Sequence, residues 1–224
     1  MKTNRELESE VLDELEWEPS VKAAEIGVAV NDGVITLTGF VDSYAEKLAT
    51  EDAVKRVTDV RGVANELVVR LPALRERTDT DIARAAVNAL EWDVFVPFDS
   101  AKVTVENGWV TLDGEVERQF QRQAAEHAVC HLAGVKGVRN LISIKSKATA
   151  MEIQADIEKA LKRSAEVDAK RISVETRGSG KVILRGSVRS FAERQEAGRV
   201  AWSAPGITDV DNQISVEAGF GVLG

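Results

Sequence analysis

Cysteine and histidine are scarce in this sequence, long apolar runs are missing, and basic charge is outweighed; each shortage removes a class of explanation. Cys130 stands alone, so no disulfide can close within the chain. No apolar run approaches the ~18 residues that a membrane span needs. The opening Met1-Lys2-Thr3-Asn4-Arg5-Glu6 leads into an acidic amphipathic segment without an apolar leader core, so the expected location is cytoplasmic. The net charge of -8 works against bulk attraction to nucleic acid, and no nucleic-acid partner is expected. Neither a Ser-His-acid order, a P-loop nor a dinucleotide-binding glycine pattern occurs. A non-enzymatic protein without a cofactor is therefore expected.

What the chain does have is repetition. Three runs anchor it: Gly33-Val34-Ile35-Thr36-Leu37-Thr38-Gly39, Gly108-Trp109-Val110-Thr111-Leu112-Asp113-Gly114 and Gly180-Lys181-Val182-Ile183-Leu184-Arg185-Gly186. Each closing glycine lies 26 residues before an asparagine: Asn65, Asn140 and Asn212. The third copy has one extra residue, placed in the turn Arg177-Gly178-Ser179-Gly180. Such a period calls for one structural unit used three times.

Each unit opens with a helix-start signal, Thr3-x-x-Glu6, Thr78-x-x-Asp81 or Thr149-x-x-Glu152. Apolar stripes follow at i, i+4, i+8: Leu7/Val11/Leu15, Ile82/Ala86/Leu90 and Ile153/Ile157/Leu161. Alternation then marks a strand (Ile26/Val28/Val30, Val103/Val105, Ile172/Val174/Thr176), and Asn31-Asp32-Gly33 and Glu106-Asn107-Gly108 read as hairpin turns. The return strand points Ile35/Leu37, Val110/Leu112 and Val182/Leu184 inward. A second helix carries Ala49/Ala53/Val57, Ala124/Ala128/Leu132 and Val200/Ala204, and a last strand buries Leu67/Val69, Ile142/Ile144 and Ile214/Val216. The expected architecture is α+β: three tandem α-β-β-α-β domains, each a small three-stranded sheet with two helices on one face. Their bounds are 1–71, 76–146 and 149–218, with a tail at 219–224.

This pattern resembles the BON domain, named for bacterial osmotically inducible and nodulation proteins. The resemblance rests on the glycine-bracketed strand and on the later Gly134-Val135-Lys136-Gly137-Val138-Arg139-Asn140, matched by Asp59-Val60-Arg61-Gly62-Val63-Ala64-Asn65 and Gly206-Ile207-Thr208-Asp209-Val210-Asp211-Asn212. It implies a non-catalytic module linked to osmotic and general stress, with phospholipid binding in some members and potassium sensing in one group. The shared residues are core and turn positions, so the resemblance carries the fold and assigns no ligand site.

Candidate functional residues lie outside the shared pattern. His127, Cys130 and His131 fall within one helical turn, but the other copies have Asp52/Arg56 and Arg199/Ser203 in the histidine positions; a polar, solvated face is expected, with no metal. Trp17 and Trp92 share one repeat position, which suggests a lid on the core or a contact between domains. Trp109 replaces Val34 and Lys181 on the outward strand face, suited to packing on a neighbouring copy. Charge is uneven: residues 1–70 are net -7, whereas 149–217 are neutral with a basic series, Arg177, Lys181, Arg185 and Arg189, of which Lys181 and Arg185 share the outward strand face with Ile183 between them. Phe220, Val222 and Leu223 in the tail offer an apolar strap.

The first expectation is a stress-linked scaffold acting through protein contacts or self-assembly. The acidic first copy and basic third copy suggest a head-to-tail homo-oligomer, with Trp109, Ile183 and the tail supplying apolar contact. The second is a peripheral binder of an anionic membrane surface, or of a small ligand such as potassium, through Lys181, Arg185 and Arg189 in the third domain.

Overall fold

The computed structural model describes residues 2–97, 99–145, 150–164, 169–177 and 180–217. The first copy contains α1 (Asn4–Trp17), β1 (Ile26–Asn31), β2 (Val34–Val41), α2 (Tyr44–Arg56), β3 (Gly62–Asn65) and β4 (Val68–Val69). The second has α3 (Asp79–Trp92), β5 (Ala101–Glu106), β6 (Trp109–Val116), α4 (Gln119–Cys130), β7 (Gly137–Asn140) and β8 (Ser143–Ile144). The third has α5 (Ala150–Arg163), β9 (Ile172–Arg177), β10 (Lys181–Val188), α6 (Phe191–Ser203) and β11 (Asp209–Val216).

In every copy the glycine-bracketed strand is central, antiparallel to the strand before it and parallel to the one after α2, α4 or α6. Register repeats as well: Val34 lies opposite Gly62, Trp109 opposite Gly137 and Lys181 opposite Asp209. The last strand is continuous in the third copy. In the other two a short gap divides it without a slip, since Phe40 still meets Val68 and Glu115 meets Ser143.

Local chemistry explains these elements. Thr3 Oγ1 accepts the Glu6 N–H at 3.3 Å while Glu6 Oε2 accepts the Thr3 N–H at 2.8 Å, which satisfies two groups the helix leaves open. Thr78 Oγ1 likewise accepts the Asp81 N–H, at 3.2 Å, but the shorter Asp81 carboxylate accepts the Thr78 hydroxyl rather than its N–H. Thr149 lies outside the described residues. The first-helix stripes are all buried. The second helix buries a wider face than the expected stripe: Thr50/Val54, Ala125/Val129 and Ala197/Ala201 are buried beside the expected Ala53, Val57 and Val200, whereas Ala49, Ala124, Ala128, Leu132 and Ala204 are partly buried.

α6 lies against both α2 and α4. Tyr44, the first residue of α2, packs on the core of the second copy. Phe191, at the same position of α6, packs on the cores of the third and first copies. Trp202, near the end of α6, reaches the second copy's core. The three domains therefore touch pairwise and close a triangle within one chain. Burial holds the Tyr44 phenol above its usual value, with the Glu126 carboxylate of the second copy adding to the effect.

The family-pattern residues prove to be framework. Gly39, Gly114 and Gly186 have φ of +119°, +147° and +137°, and a Cβ there would come within 2.2 Å of the carbonyl oxygen of Glu25, Ser100 or Arg171. Asn65, Asn140 and Asn212 tie the last strand to the second helix. Each Nδ2 donates to a helix carbonyl (Lys47, Arg122, Arg194), and each Oδ1 accepts the N–H two residues on. Serving both polar ends of a half-buried amide in this way removes the cost of leaving it unpaired.

Candidate interaction surface

With both helices on the inner sheet face, the outer face is where the copies differ. In the first copy it shows Gly27, Ala29, Val34, Thr36, Thr38, Phe40, Gly62, Ala64 and Val68, with no ionisable group at these paired positions. Arg70 sets its guanidinium 3.1 Å from the centroid of the Phe40 ring. In the third copy the same lattice carries Lys181, Ile183 and Arg185, but register interleaves them with Arg177, Glu175, Asp209 and Asp211. Arg185 ion-pairs with Glu175 at 3.3 Å and donates to Gln213 at 3.1 Å. Three cations thus share the face with three carboxylates, and Arg189 stands past the end of the strand.

Ile183 was expected to offer apolar contact. It is on the outer face but only 8% exposed, between Lys181 and Arg185 on its own strand and Glu175 and Asp211 across it. Long neighbouring side chains close over a central sheet position in this way. Trp109 lies across Gly137 of its own sheet, where an added Cβ would meet the ring at 2.4 Å, and stays half exposed. Trp17 and Trp92 are 83% and 86% exposed. Neither is a lid: each ends its helix pointing away from the stripe that faces the core. Phe220, Val222 and Leu223 lie outside the described residues.

An exposed apolar ledge in the second copy was not anticipated. After α3 the chain turns at Asp93, whose Oδ1 accepts the Phe95 N–H at 2.8 Å, and Val96 drops into the core. Trp92, Val94 and Phe95 are left facing solvent. Phe95 meets Phe120 of α4 edge to face, centroids 6.1 Å apart at 88°, with the rings 60% and 52% exposed. A cavity of about 160 Å³ lies beneath the loop, lined by Val87, Leu90, Glu91, Val96, Pro97 and Ala101 among others. At the repeat positions of Phe95 and Phe120 the first copy has Ser20 and Ala45, and the third has Ala192 at that of Phe120. The fold does not need this pair, and comparing the copies position by position is the signal that exposes it.

The two histidine rings lie with centroids 4.8 Å apart and planes tilted by 59° at the exposed end of α4. Cys130 turns inward, its thiol donating to the His127 carbonyl oxygen, and burial pushes its pKa up to about 11, with Glu126 adding to the shift. A thiol so protonated is a poor metal ligand and nucleophile. Among the described residues, no helix is long and apolar enough to cross a membrane.

The fold defines a tandem α+β module used three times. The BON domain model matches the chain three times, at residues 3–70, 78–146 and 150–218, and the chain belongs to the BON domain family. It is 32% identical over 132 residues to osmotically-inducible protein Y of Escherichia coli (strain K12); the match takes in 56% of this chain and 65% of that protein, just under two thirds of its length. Among solved structures it aligns with CdsD, a structural protein of the type III secretion system of Chlamydia trachomatis. The TM-score is 0.27 at 15% identity, covering 96% of this chain and 93% of that one. The C-terminal domain of CdsD gives a TM-score of 0.26 at 14% identity. Likenesses this slight carry no argument.

Proposed function

We propose that this protein is a non-catalytic, stress-linked binding protein that makes protein–protein contacts, a second copy of itself included, through the Trp92, Val94, Phe95 and Phe120 ledge. The stress link rests on its relation to osmotically-inducible protein Y. The contact reading rests on one observation: two aromatic rings are held together in solvent at positions where the copies otherwise carry small or polar residues. Apolar area releases about 25 cal/mol per Å² when withdrawn from water, and aromatic anchors concentrate at the centre of interfaces. Adsorption to anionic lipid through Lys181, Arg185 and Arg189 is the weaker reading, because carboxylates stand among the first two.

Sedimentation velocity on the full chain at tens of micromolar, in low and high salt, tests this. Apolar association persists in high salt and is lost in a Phe95→Ser, Phe120→Ser double variant. A chain that stays monomeric throughout, yet floats with anionic vesicles in a salt-sensitive way abolished by Lys181→Gln and Arg185→Gln, would replace this reading with the lipid one.

A further inference from the structure

The hairpin turns of the first two copies share one backbone conformation but not one partner. Asn107 and Gly108 have φ of +53° and +82°, and Asp32 and Gly33 have +48° and +79°. Two successive left-handed residues aim their N–H groups to the same side and form a small anion-holding concavity. In the second copy it is filled by the chain itself. Asp79, at the start of α3, places Oδ2 at 2.7 Å from the Asn107 nitrogen and Oδ1 at 2.9 Å from the Gly108 nitrogen, one carboxylate oxygen to each N–H.

In the first copy the residue in the place of Asp79 is Asn4. Its amide makes no bond among the described residues, and the N–H groups of Asp32 and Gly33 meet no acceptor there, although Gly33 is buried. A cavity of about 220 Å³ opens at this point, lined by Lys2, Asn4, Asp32, Gly33, Asp59 and Arg61 among others. The end of α1 is not what is open, since Thr3 and Glu6 already cap it. The Lys2 ammonium is taken up by Glu10 and the Thr58 carbonyl, and the Lys2 N–H points to Asp59. Arg61 is different: its stem lies against Gly33, and its guanidinium has no partner among the described residues. Arg61, the Asn4 amide and the two N–H groups are the donors that remain.

We propose that the Asp32–Gly33 turn of the first copy, with Arg61, binds a carboxylate supplied from outside the domain, in the geometry that Asp79 adopts in the second copy. The source is either a free small carboxylate or an acidic side chain of a protein. The loss of negative charge at Asn4 is what opens the site. The turn keeps its backbone conformation and its glycine, with Asp32 in the place of Asn107 and Asn31 in that of Glu106, and Arg61 stands where the second copy has Lys136.

Amide spectra of the full, isotope-labelled chain test this, with acetate replacing chloride at constant ionic strength. Acetate moves the Asp32 and Gly33 amides along a saturating curve and leaves Asn107 and Gly108 in place. Asn4→Asp supplies the carboxylate from within and abolishes the response. Asp79→Asn opens the second turn, so that Asn107 and Gly108 begin to respond; because it lies in another copy, it keeps the test decisive if Asn4→Asp perturbs folding. A capped peptide containing one glutamate separates the sources: affinity about tenfold or more above acetate assigns the site to a protein side chain, and equal affinity assigns it to a free carboxylate. No saturating shift at Asp32 and Gly33 with either probe, or an undiminished shift in a folded Asn4→Asp chain, overturns the proposal.

Discussion

The inner and outer faces of these sheets have followed different rules. On the inner face Leu37, Leu112 and Leu184 are all completely buried, and the glycine two residues later has the same left-handed conformation in each copy. On the outer face the same register carries Thr36 between Ala29 and Ala64 in the first copy, and Ile183 between Glu175 and Asp211 in the third. Packing against two helices admits few substitutions, whereas water admits many. Residues shared by the copies therefore report how the domain stands up, and residues they do not share report what each copy meets.

Substitutions sharpen that contrast. The largest effect should come from Gly186→Val, or its equivalents Gly39→Val and Gly114→Val. Each places a side chain on a left-handed residue facing a carbonyl, and each should cost about 3 kcal/mol or more, seen as loss of the corresponding core in calorimetry. Similar losses in all three copies support the inner-face rule; a near-neutral result at any of them breaks it. Gln119→Leu comes next and should stabilise. Gln119 holds the position of Tyr44 and Phe191, and its Oε1 is buried without a hydrogen-bond partner, a defect worth about 1–3 kcal/mol. A lowered melting temperature would show that this amide has a role in the triangle.

Cys130 gives a pH-dependent effect confined to the second copy. Its pKa is raised from 9.0 to about 11 in the folded chain, so the unfolded chain ionises first. The stabilisation is whole below pH 9, fades as pH rises toward 11, and is flat beyond. Urea melts of the wild type and Cys130→Ala between pH 8 and pH 11 should converge toward the alkaline end, and divergence there would refute the assignment. Smallest of all should be Arg185→Ala or Glu175→Ala on the third copy's outer face. That pair is half exposed and should contribute less than about 1 kcal/mol.

Much of the fold was legible because the repeat gave three readings of each position. First-helix stripes, strand phases and the capping threonines of the first two copies follow from spacing alone. The second helix read as a narrower stripe than it buries, since Thr50 and Val54 join Ala53 and Val57 in the core, and the spacing of small residues does not say how wide a buried face is. Ile183 was placed on the correct face, yet its burial depends on side chains two strands apart. The Phe95–Phe120 pair went unnoticed for a similar reason: the rings are 25 residues apart in sequence and meet only when the loop after α3 folds over α4. Asp79 and its turn are separated in the same way, and no local motif announces them.

The closed triangle has a consequence for how the chain diversifies. Free single domains would have to find one another by diffusion, at cellular concentrations. Tethered ones meet at an effective concentration in the millimolar range, so weak contacts suffice. A trimer of identical subunits would also repeat one residue at all three contacts. Here Tyr44, Gln119 and Phe191 occupy the three equivalent seats. Covalent linkage releases each seat from symmetry, and a lineage can alter one corner of the assembly while the other two hold it together.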